Sequence, residues 1–223
     1  TYVTVFSLTE RPERLAVIGA GPIGCELAQA FQRLGSNVTL LHRRPYILNK
    51  EDPDAAVLVQ KSLEEDGVNL VTGMTLRRAY RSDGGKVLEF TNSEGQVESI
   101  EVDEILMGAG RSPNVEGLNL EAVGVQYNKR GVVVDDYLQT TNKRIFAAGD
   151  ICMAWQFTHA ADAAARIVLK NAFFSPFGLG KSKLSDLVMP WVTFTDPEIA
   201  RTGLSEEEAQ AKGFDTTTIK IDM

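Results

Sequence analysis

Cysteine is scarce in this chain of 223 residues, which contains only Cys25 and Cys152. The two lie far apart in sequence and form no C-x-x-C motif, no metal-ligating cluster and no disulfide framework. The sequence therefore predicts neither a metal site nor a disulfide-stapled fold. Nothing suggests that the two cysteines pair, and a reducing cytoplasm is the predicted compartment.

Long apolar stretches and basic runs are also missing. No hydrophobic run approaches the roughly 20 residues that cross a bilayer, so no membrane span is predicted. The first residues, TYVTVFSLTERPER, lack the layout of a secretory signal and are interpreted as a linker that enters a domain. The net charge is −7, and no basic stripe is available to neutralise nucleic-acid phosphates. Nucleic acid is therefore not a predicted partner.

Glycine, in contrast, is concentrated at one informative place. VIGAGPIGCELAQAF, residues 17–31, is a hydrophobic strand that runs into three glycines and then into an amphipathic helix. Gly19, Gly21 and Gly24 match G-x-G-x-x-G, in which the first allows a tight turn, the second admits a diphosphate and the third allows close helix–strand packing. The helix N-terminus offers N–H groups and partial positive charge to phosphates. A glycine-rich turn of an ordinary α/β protein is the alternative, but the strand before and helix after favour a dinucleotide site.

The residues after the second strand bear on which dinucleotide is bound. An NAD site usually carries an acid there to hold the ribose 2′-hydroxyl, whereas this chain has His42 followed by Arg43 and Arg44. The missing carboxylate and the two guanidiniums favour a 2′-phosphate, and therefore NADP; two solvated loop arginines are the alternative. His42 itself is interpreted as a loop residue.

Glu26, two positions after the last glycine, either reaches solvent or points toward the nicotinamide.

The pattern around these motifs predicts an α/β fold with three segments. Residues 1–125 alternate strand and helix, with short strands around DGG and SEG before a returning parallel strand in EILMGAG, which predicts a Rossmann-like three-layer domain with a β-meander insert. Residues 126–186 contain the Ala-rich helix THAADAAARIVLKNAFF and the linker SPFGLGKSK. Residues 187–223 contain a strand and turn in MPWVTFTDPEIA, a helix with a capping box at Ser205 and Glu208, and the start of another strand in FDTTTIKIDM.

Four stretches taken together resemble the FAD- and pyridine-nucleotide-dependent disulfide oxidoreductases, the family of glutathione reductase, dihydrolipoamide dehydrogenase and mercuric reductase. They are VIGAGPIGCELA, MGAGRSPNVEGL, IFAAGDI and MPWVTFTDPEIARTGLSEEEA, in the family's order. The resemblance covers essentially the whole chain, and VTLLHRRP and MPWVTFTDPEIA are most similar to mercuric reductase. It implies an NAD(P)-binding domain at 1–125, a returning segment of the FAD-binding domain with a linker at 126–186, and the start of an α+β dimerisation domain at 187–223.

For the nicotinamide nucleotide, the resemblance implies that the three glycines cradle the pyrophosphate of NAD(P)H. Glu26 would be the acid beside the nicotinamide. Arg43, with Arg44 next to it, would bind the 2′-phosphate of NADPH. Gly110, in GAGRSPN, would lie in the loop beside the bound nucleotide. The cofactors implied are FAD and NADP, with NAD as a further possibility.

For the flavin, the resemblance implies that Asp150 hydrogen-bonds the ribitol, a role that suits a carboxylate acceptor at a strand end. Thr158 would begin the helix aimed at the flavin ring, where the positive helix end stabilises negative charge on the reduced ring. From the residues alone, a turn or C-cap aspartate and an N-cap threonine are the preferred interpretations. His159 is interpreted as a surface or helix-end histidine.

The sequence also departs from the family's pattern. The N-terminal FAD segment with its C-x4-C pair and the C-terminal His-Pro segment are absent, so the chain is expected to be a fragment that is inactive alone. In the parent homodimer, hydride would pass from NAD(P)H to FAD, and electrons would pass on to a disulfide or Hg(II)-type acceptor. The alternatives are a dihydrolipoamide dehydrogenase-type enzyme, a cysteine-less NADH oxidase-type enzyme, and a non-catalytic nucleotide-binding module.

Overall fold

The computed structural model describes residues 4–221. The chain divides into two compact units. The first unit lies within residues 1–110 and 190–223, and the second comprises residues 111–189. The first unit thus combines most of the first predicted segment with the last one. The domain boundaries at residues 125 and 186 stay predictions.

A parallel sheet forms the centre of the first unit. Its elements up to residue 110 are β1 (Arg14–Ile18), α1 (Pro22–Arg33), β2 (Asn37–Leu41), α2 (Pro53–Glu65), β3 (Asn69–Val71), β4 (Thr75–Ser82), β5 (Gly85–Thr91), β6 (Val97–Val102) and β7 (Glu104–Met107). The parallel sheet has the order β3-β2-β1-β7, and β4, β5 and β6 form an antiparallel meander. The predicted βαβαβ order with an inserted meander is confirmed.

Successive side chains of β1 point to opposite faces of the parallel sheet and pack into two separate core clusters. Leu15 and Val17 pack into a core cluster that also contains buried residues of α1 and α2. Ala16 and Ile18 point to the opposite face and join a cluster with buried residues of β5 and β6. Because both faces of the parallel sheet are covered, β1 can be apolar along almost its whole length. The predicted three-layer, Rossmann-like α/β fold is confirmed, with helices, parallel sheet and meander as the layers.

The two helices of this unit begin and end at the signals in the sequence. Pro22 is the first residue of α1, and Gly35 follows the helix at φ +94°. Asp52 caps α2 by accepting a hydrogen bond from the Asp54 N–H at 3.0 Å, and Gly67 follows that helix at φ +92°. These are the ordinary start and stop signals of helices.

The second unit has little regular structure besides one helix. Its elements are β8 (Tyr127–Asn128), β9 (Gly131–Val132) and α3 (Thr158–Phe173), with short 3-10 turns at Leu120–Val123, Pro176–Gly178 and Leu184–Asp186. The predicted Ala-rich helix is confirmed as α3. None of the helices between residues 4 and 221 has the length and apolar character that a bilayer span demands.

The last segment of the chain packs within the first unit. It forms β10 (Pro190–Thr193), β11 (Ile199–Thr202) and α4 (Glu206–Ala211), and the predicted capping box of Ser205 and Glu208 begins the helix. The strand predicted in FDTTTIKIDM is wrong for residues 214–221, which pair with no strand in the described chain. These residues are held by side chains instead, since Lys220 Nζ donates to Asp54 Oδ2 at 2.7 Å. Asp222 and Met223 lie outside the described residues.

Gly24 sets how closely α1 packs against the turn after β1. A Cβ added at Gly24 would lie 1.8 Å from the Gly19 carbonyl oxygen, and one added at Gly19 would lie 2.6 Å from the Gly108 carbonyl oxygen. Both obstacles are backbone atoms, so no side-chain rearrangement relieves them. At Gly21, whose φ is −80°, an added Cβ would meet no atom of the described residues within 4 Å.

We expect Gly24→Ala to destabilise the chain, measured as the free energy of unfolding in urea. Alanine gains about 1 kcal/mol of helix propensity over glycine, but a backbone overlap costs roughly 1–3 kcal/mol or more. Gly21→Ala is the matched control, and its free energy of unfolding should change by less than about 1 kcal/mol. Equal losses in the two variants would contradict this view of the packing.

Candidate functional site

The glycine turn, defined here as residues 19–24, joins β1 to α1 at the carboxyl edge of the parallel sheet. The Gly19 N–H donates to the Leu41 carbonyl at 2.8 Å, so the turn is attached to the end of β2. The Cys25 N–H donates to the Gly21 carbonyl at 3.0 Å, which starts the helix. N–H groups in the first turn of a helix have no partner inside the helix, and they attract anions. With open space above Gly21, this backbone is suited to the approach of a diphosphate.

A second segment is hydrogen-bonded to the glycine turn through Ala20. We call the segment from His42 to Leu48 the arginine loop, because it carries Arg43 and Arg44. The Ala20 N–H donates to Nδ1 of His42 at 3.2 Å, and the Leu48 N–H donates to the Ala20 carbonyl at 2.8 Å. Arg43 and Arg44 lie between these two attachment points, and both are exposed. The loop therefore presents two guanidiniums from a backbone that is fixed beside the glycine turn.

His42 is more than the loop residue expected from the sequence. Its N–H donates to the Val71 carbonyl at 2.8 Å, and its carbonyl accepts from the Met74 N–H at 3.2 Å. The Nε2 atom is buried and has no hydrogen-bond partner among the described residues. Burial, followed by the charges of Arg44 and Arg43, lowers the pKa of His42. The sequence does contain a signal for such a role of His42: a polar ring at the end of a buried strand, where dinucleotide sites carry a ribose-binding side chain.

Glu26 lies on α1 next to the start of the last segment. Its Oε1 accepts a hydrogen bond from the Phe194 N–H at 2.9 Å. One turn later the buried Gln29 accepts from the Asp196 N–H at 2.8 Å and donates to the Asp196 carbonyl at 2.9 Å. The i, i+3 spacing of Glu26 and Gln29 puts both on one helix face, which is the sequence signal for a segment packed there. The position of Glu26 beside a nicotinamide stays a prediction.

Two glycines follow β7 at the same edge of the sheet. The Gly108 N–H donates to the Ile18 carbonyl at 2.8 Å, so the end of β7 lies next to the glycine turn. Gly110 is exposed at φ +117°, and an added Cβ there would meet nothing within 4 Å in the described chain. The backbone around Gly110 is therefore accessible, and its contact with a nucleotide stays a prediction.

In the second unit, Asp150 forms an ion pair. Its Oδ2 accepts from Nη1 of Arg111 at 3.0 Å, and the same nitrogen donates to the Gln156 carbonyl at 2.8 Å. The Asp150 side chain is about half exposed, at 49%. A carboxylate oriented in this way can accept hydrogen bonds from sugar hydroxyls with its remaining lone pairs.

The turn that carries Asp150 packs on the first turn of α3. Gly149, at φ +82°, leaves room for Ala161, because a Cβ added at Gly149 would lie 3.2 Å from the Ala161 Cβ. Thr158 is the exposed first residue of α3, and the N-cap is Phe157, so the interpretation of Thr158 as an N-cap is wrong. His159 is exposed at the same helix end and stacks on Phe157, as expected of a helix-end histidine. A carboxylate and a positive helix end are thus adjacent.

Comparison with family models identifies both parts of the chain. The model described as "Pyridine nucleotide-disulphide oxidoreductase" matches residues 2–165. The model described as "Pyridine nucleotide-disulphide oxidoreductase, dimerisation domain" matches residues 189–223. The two matches together cover most of the chain.

Curated proteins and solved structures give related matches. Mercuric reductase from Staphylococcus aureus is 42% identical over 219 residues, which are 98% of this chain and 39% of that protein. Dihydrolipoyl dehydrogenase from Thermus scotoductus is 39% identical over 213 residues, covering 94% of this chain and 45% of the relative. The HOCl-induced flavoprotein disulfide reductase RclA from Escherichia coli has a TM-score of 0.82 at 30% identity, covering 95% of this chain and 47% of that one. The chain therefore spans less than half the length of these relatives.

The two cysteines are held in their protonated form. Burial, followed by the charge of Glu26, raises the pKa of Cys25 to about 12. Burial raises the pKa of the partly exposed Cys152 to about 11. Because the thiolate is the reactive form, neither cysteine is prepared for redox chemistry near neutral pH.

We expect iodoacetamide to modify the folded chain slowly near neutral pH, and Cys25 more slowly than Cys152, because Cys25 is fully buried as well. The rate at Cys152 should rise as the pH approaches about 11, where its thiolate becomes populated. Mass spectrometry of timed samples measures both rates, with the urea-unfolded chain as the control. Fast labelling of Cys25 in the folded chain would contradict the conclusion that burial keeps this thiol protonated and unreactive.

Proposed function

Since the chain belongs to the pyridine nucleotide-disulphide oxidoreductase family, we propose that its first unit binds NAD(P)H with a preference for NADPH. We propose further that its second unit supplies part of an FAD site. Enzymes of this family are oxidoreductases that depend on FAD and NAD(P)H. The observation that carries the proposal is the open backbone at Gly21 with the arginine loop hydrogen-bonded beside it.

Different residues of the first unit bind different parts of the nucleotide. The N–H groups of the glycine turn hold the diphosphate, and the partial positive charge of α1 adds to the attraction. Arg43 and Arg44 bind the 2′-phosphate through charge-assisted hydrogen bonds. The exposure of both arginines leaves them accessible, and the absence of an acid at position 42 counts against a site selective for NAD.

Glu26 is the acid on the nicotinamide side of this site. Its carboxylate is oriented by the Phe194 N–H, so it can accept a further hydrogen bond in a fixed direction. Gly110 leaves the neighbouring backbone accessible for the nucleotide.

The residues of the second unit suit the flavin. Asp150, oriented by Arg111, accepts hydrogen bonds from the ribitol hydroxyls. The N-terminus of α3, which begins at Thr158, directs its partial positive charge toward the flavin ring. When bound, the nicotinamide and the flavin supply the hydride and electron transfer, and the chain supplies binding, orientation and electrostatics.

For the whole protein, we propose a homodimeric reductase that passes reducing equivalents to a disulfide or Hg(II)-type acceptor. The mercuric reductase relatives and the dimerisation-domain match support this proposal. A dihydrolipoyl dehydrogenase-type enzyme is the second candidate, favoured by the 39% identical relative of that name. His42, Arg43 and Arg44 in place of a ribose-binding acid favour the first candidate.

We expect Gly21→Ala to weaken binding of NADP⁺ by roughly 10- to 100-fold, because the added methyl keeps the diphosphate from the turn's charge-assisted hydrogen bonds. Isothermal titration calorimetry measures the affinity, and the thermal unfolding midpoint shows that the fold is retained. Gly95→Ala, at a distant turn with φ +83°, strains the backbone although its added Cβ meets nothing within 4 Å among the described residues, so it serves as the control for an effect of destabilisation alone. Unchanged affinity in a folded Gly21→Ala chain would refute the proposed site.

Arg43→Ala tests the choice of nucleotide. We expect NADPH affinity to fall by about 1.5–3 kcal/mol, the value of one charge-assisted contact, while NADH affinity stays unchanged. Fluorescence titration of the two reduced nucleotides gives both values. Arg81→Ala, an exposed arginine on β4, serves as the control for loss of general positive charge. Equal affinities for NADPH and NADH in the parent chain would remove the argument for a 2′-phosphate site.

A further inference from the structure

The imidazole of His42 connects the two parts of the proposed nucleotide site. Ala20 is completely buried, and both of its backbone polar groups are bonded to the arginine loop. The carbonyl accepts from the Leu48 N–H, but the N–H depends on a side chain, the Nδ1 atom of His42. This hydrogen bond joins residues 22 positions apart and is the one contact in the pair that can titrate.

We propose, on the basis of the proposed function, that His42 is a positioning residue. Its neutral imidazole holds the glycine turn in the geometry that binds the diphosphate, and protonation of the imidazole releases the turn. Nδ1 accepts a hydrogen bond only when it carries no proton, so the neutral ring has its proton on Nε2. Once Nδ1 is protonated, two donors face each other at 3.2 Å, and the turn loses one of the two hydrogen bonds that attach Ala20 to the arginine loop.

The surroundings of the ring favour its neutral form. On its own loop the charged neighbours are Arg43 and Arg44, and both oppose a further positive charge. The glycine turn contributes the Ala20 N–H to the ring, whereas Val71 and Met74, at and after β3, are hydrogen-bonded to the backbone of His42 and bring no charge near it. No carboxylate among the described residues acts on the ring. The buried Nε2 likewise has no acceptor in the described chain that would stabilise an imidazolium.

The direction of the pH dependence separates this role from a direct one. A histidine that contacts phosphate binds it more tightly when protonated, because the imidazolium is a cation. The positioning role predicts the reverse, namely weaker binding as the pH falls through the pKa of His42. The suitable probe is ADP-ribose, which carries the diphosphate but no 2′-phosphate that would change its own charge in this range.

The experiment compares the 223-residue chain with three variants by calorimetric titration of ADP-ribose from about pH 8 to about pH 5. For the parent chain, Kd should rise roughly two- to tenfold on acidification, as expected for loss of one hydrogen bond. His42→Asn keeps an acceptor two bonds from Cβ that does not titrate, so its Kd should stay near the neutral parent value at each pH. His42→Leu should bind weakly throughout. His159→Asn, which removes the other histidine of the chain, should titrate like the parent.

A second readout needs no ligand. The amide ¹⁵N and ¹H shifts of Ala20 should titrate in the parent chain with a midpoint below the ordinary histidine value of about 6.5, and should be constant in His42→Asn. Identical pH profiles for the parent and His42→Asn, tighter binding on acidification, or an Ala20 amide that does not titrate would each overturn the inference. Failure of the parent chain to bind ADP-ribose at neutral pH would instead refute the proposed function.

Discussion

The backbone of α1 approaches the end of β1 so closely that no side chain fits between them, and the proposed nucleotide site depends on this approach. The distance of 1.8 Å between an added Gly24 Cβ and the Gly19 carbonyl oxygen measures how little room remains. Because α1 starts so near the sheet edge, its first N–H groups face the same side as the carboxyl ends of β1, β2 and β7. Gly21, where an added Cβ would meet nothing within 4 Å in the described residues, leaves that side open to a ligand.

The charged side chains at the carboxyl edge of the parallel sheet come from elements that are distant in the sequence. The arginine loop is hydrogen-bonded to Ala20 at both of its ends, so two cations are held next to a turn that already attracts anions. Glu26 contributes the opposite charge one helical turn further along α1, with its carboxylate oriented by the Phe194 N–H. In the second unit, Asp150 and the start of α3 form a separate pair of a carboxylate and a positive helix end, suited to a sugar and an anionic ring.

Local signals in the sequence were sufficient for most of the fold. The two βαβ units, the meander turns at DGG and SEG, and the caps at Asp52 and Ser205 depend on residues within a few positions of one another, and all are confirmed. The features that were missed depend on distant partners. The bond between Ala20 and His42 spans 22 positions, and that between Glu26 and Phe194 spans 168. The strand expected in FDTTTIKIDM failed for a related reason, since the residues of a segment cannot show that a pairing strand is available.

In the proposed site, a dinucleotide lies across the glycine turn with its adenosine ribose at the arginine loop. Backbone amide chemical-shift mapping of the chain with NADP⁺ tests it most directly. We expect the largest shifts at Gly21, Ile23 and Gly24 and at Arg43 and Arg44, with little change in the meander. Shifts concentrated elsewhere, with the glycine turn unaffected at saturation, would contradict it.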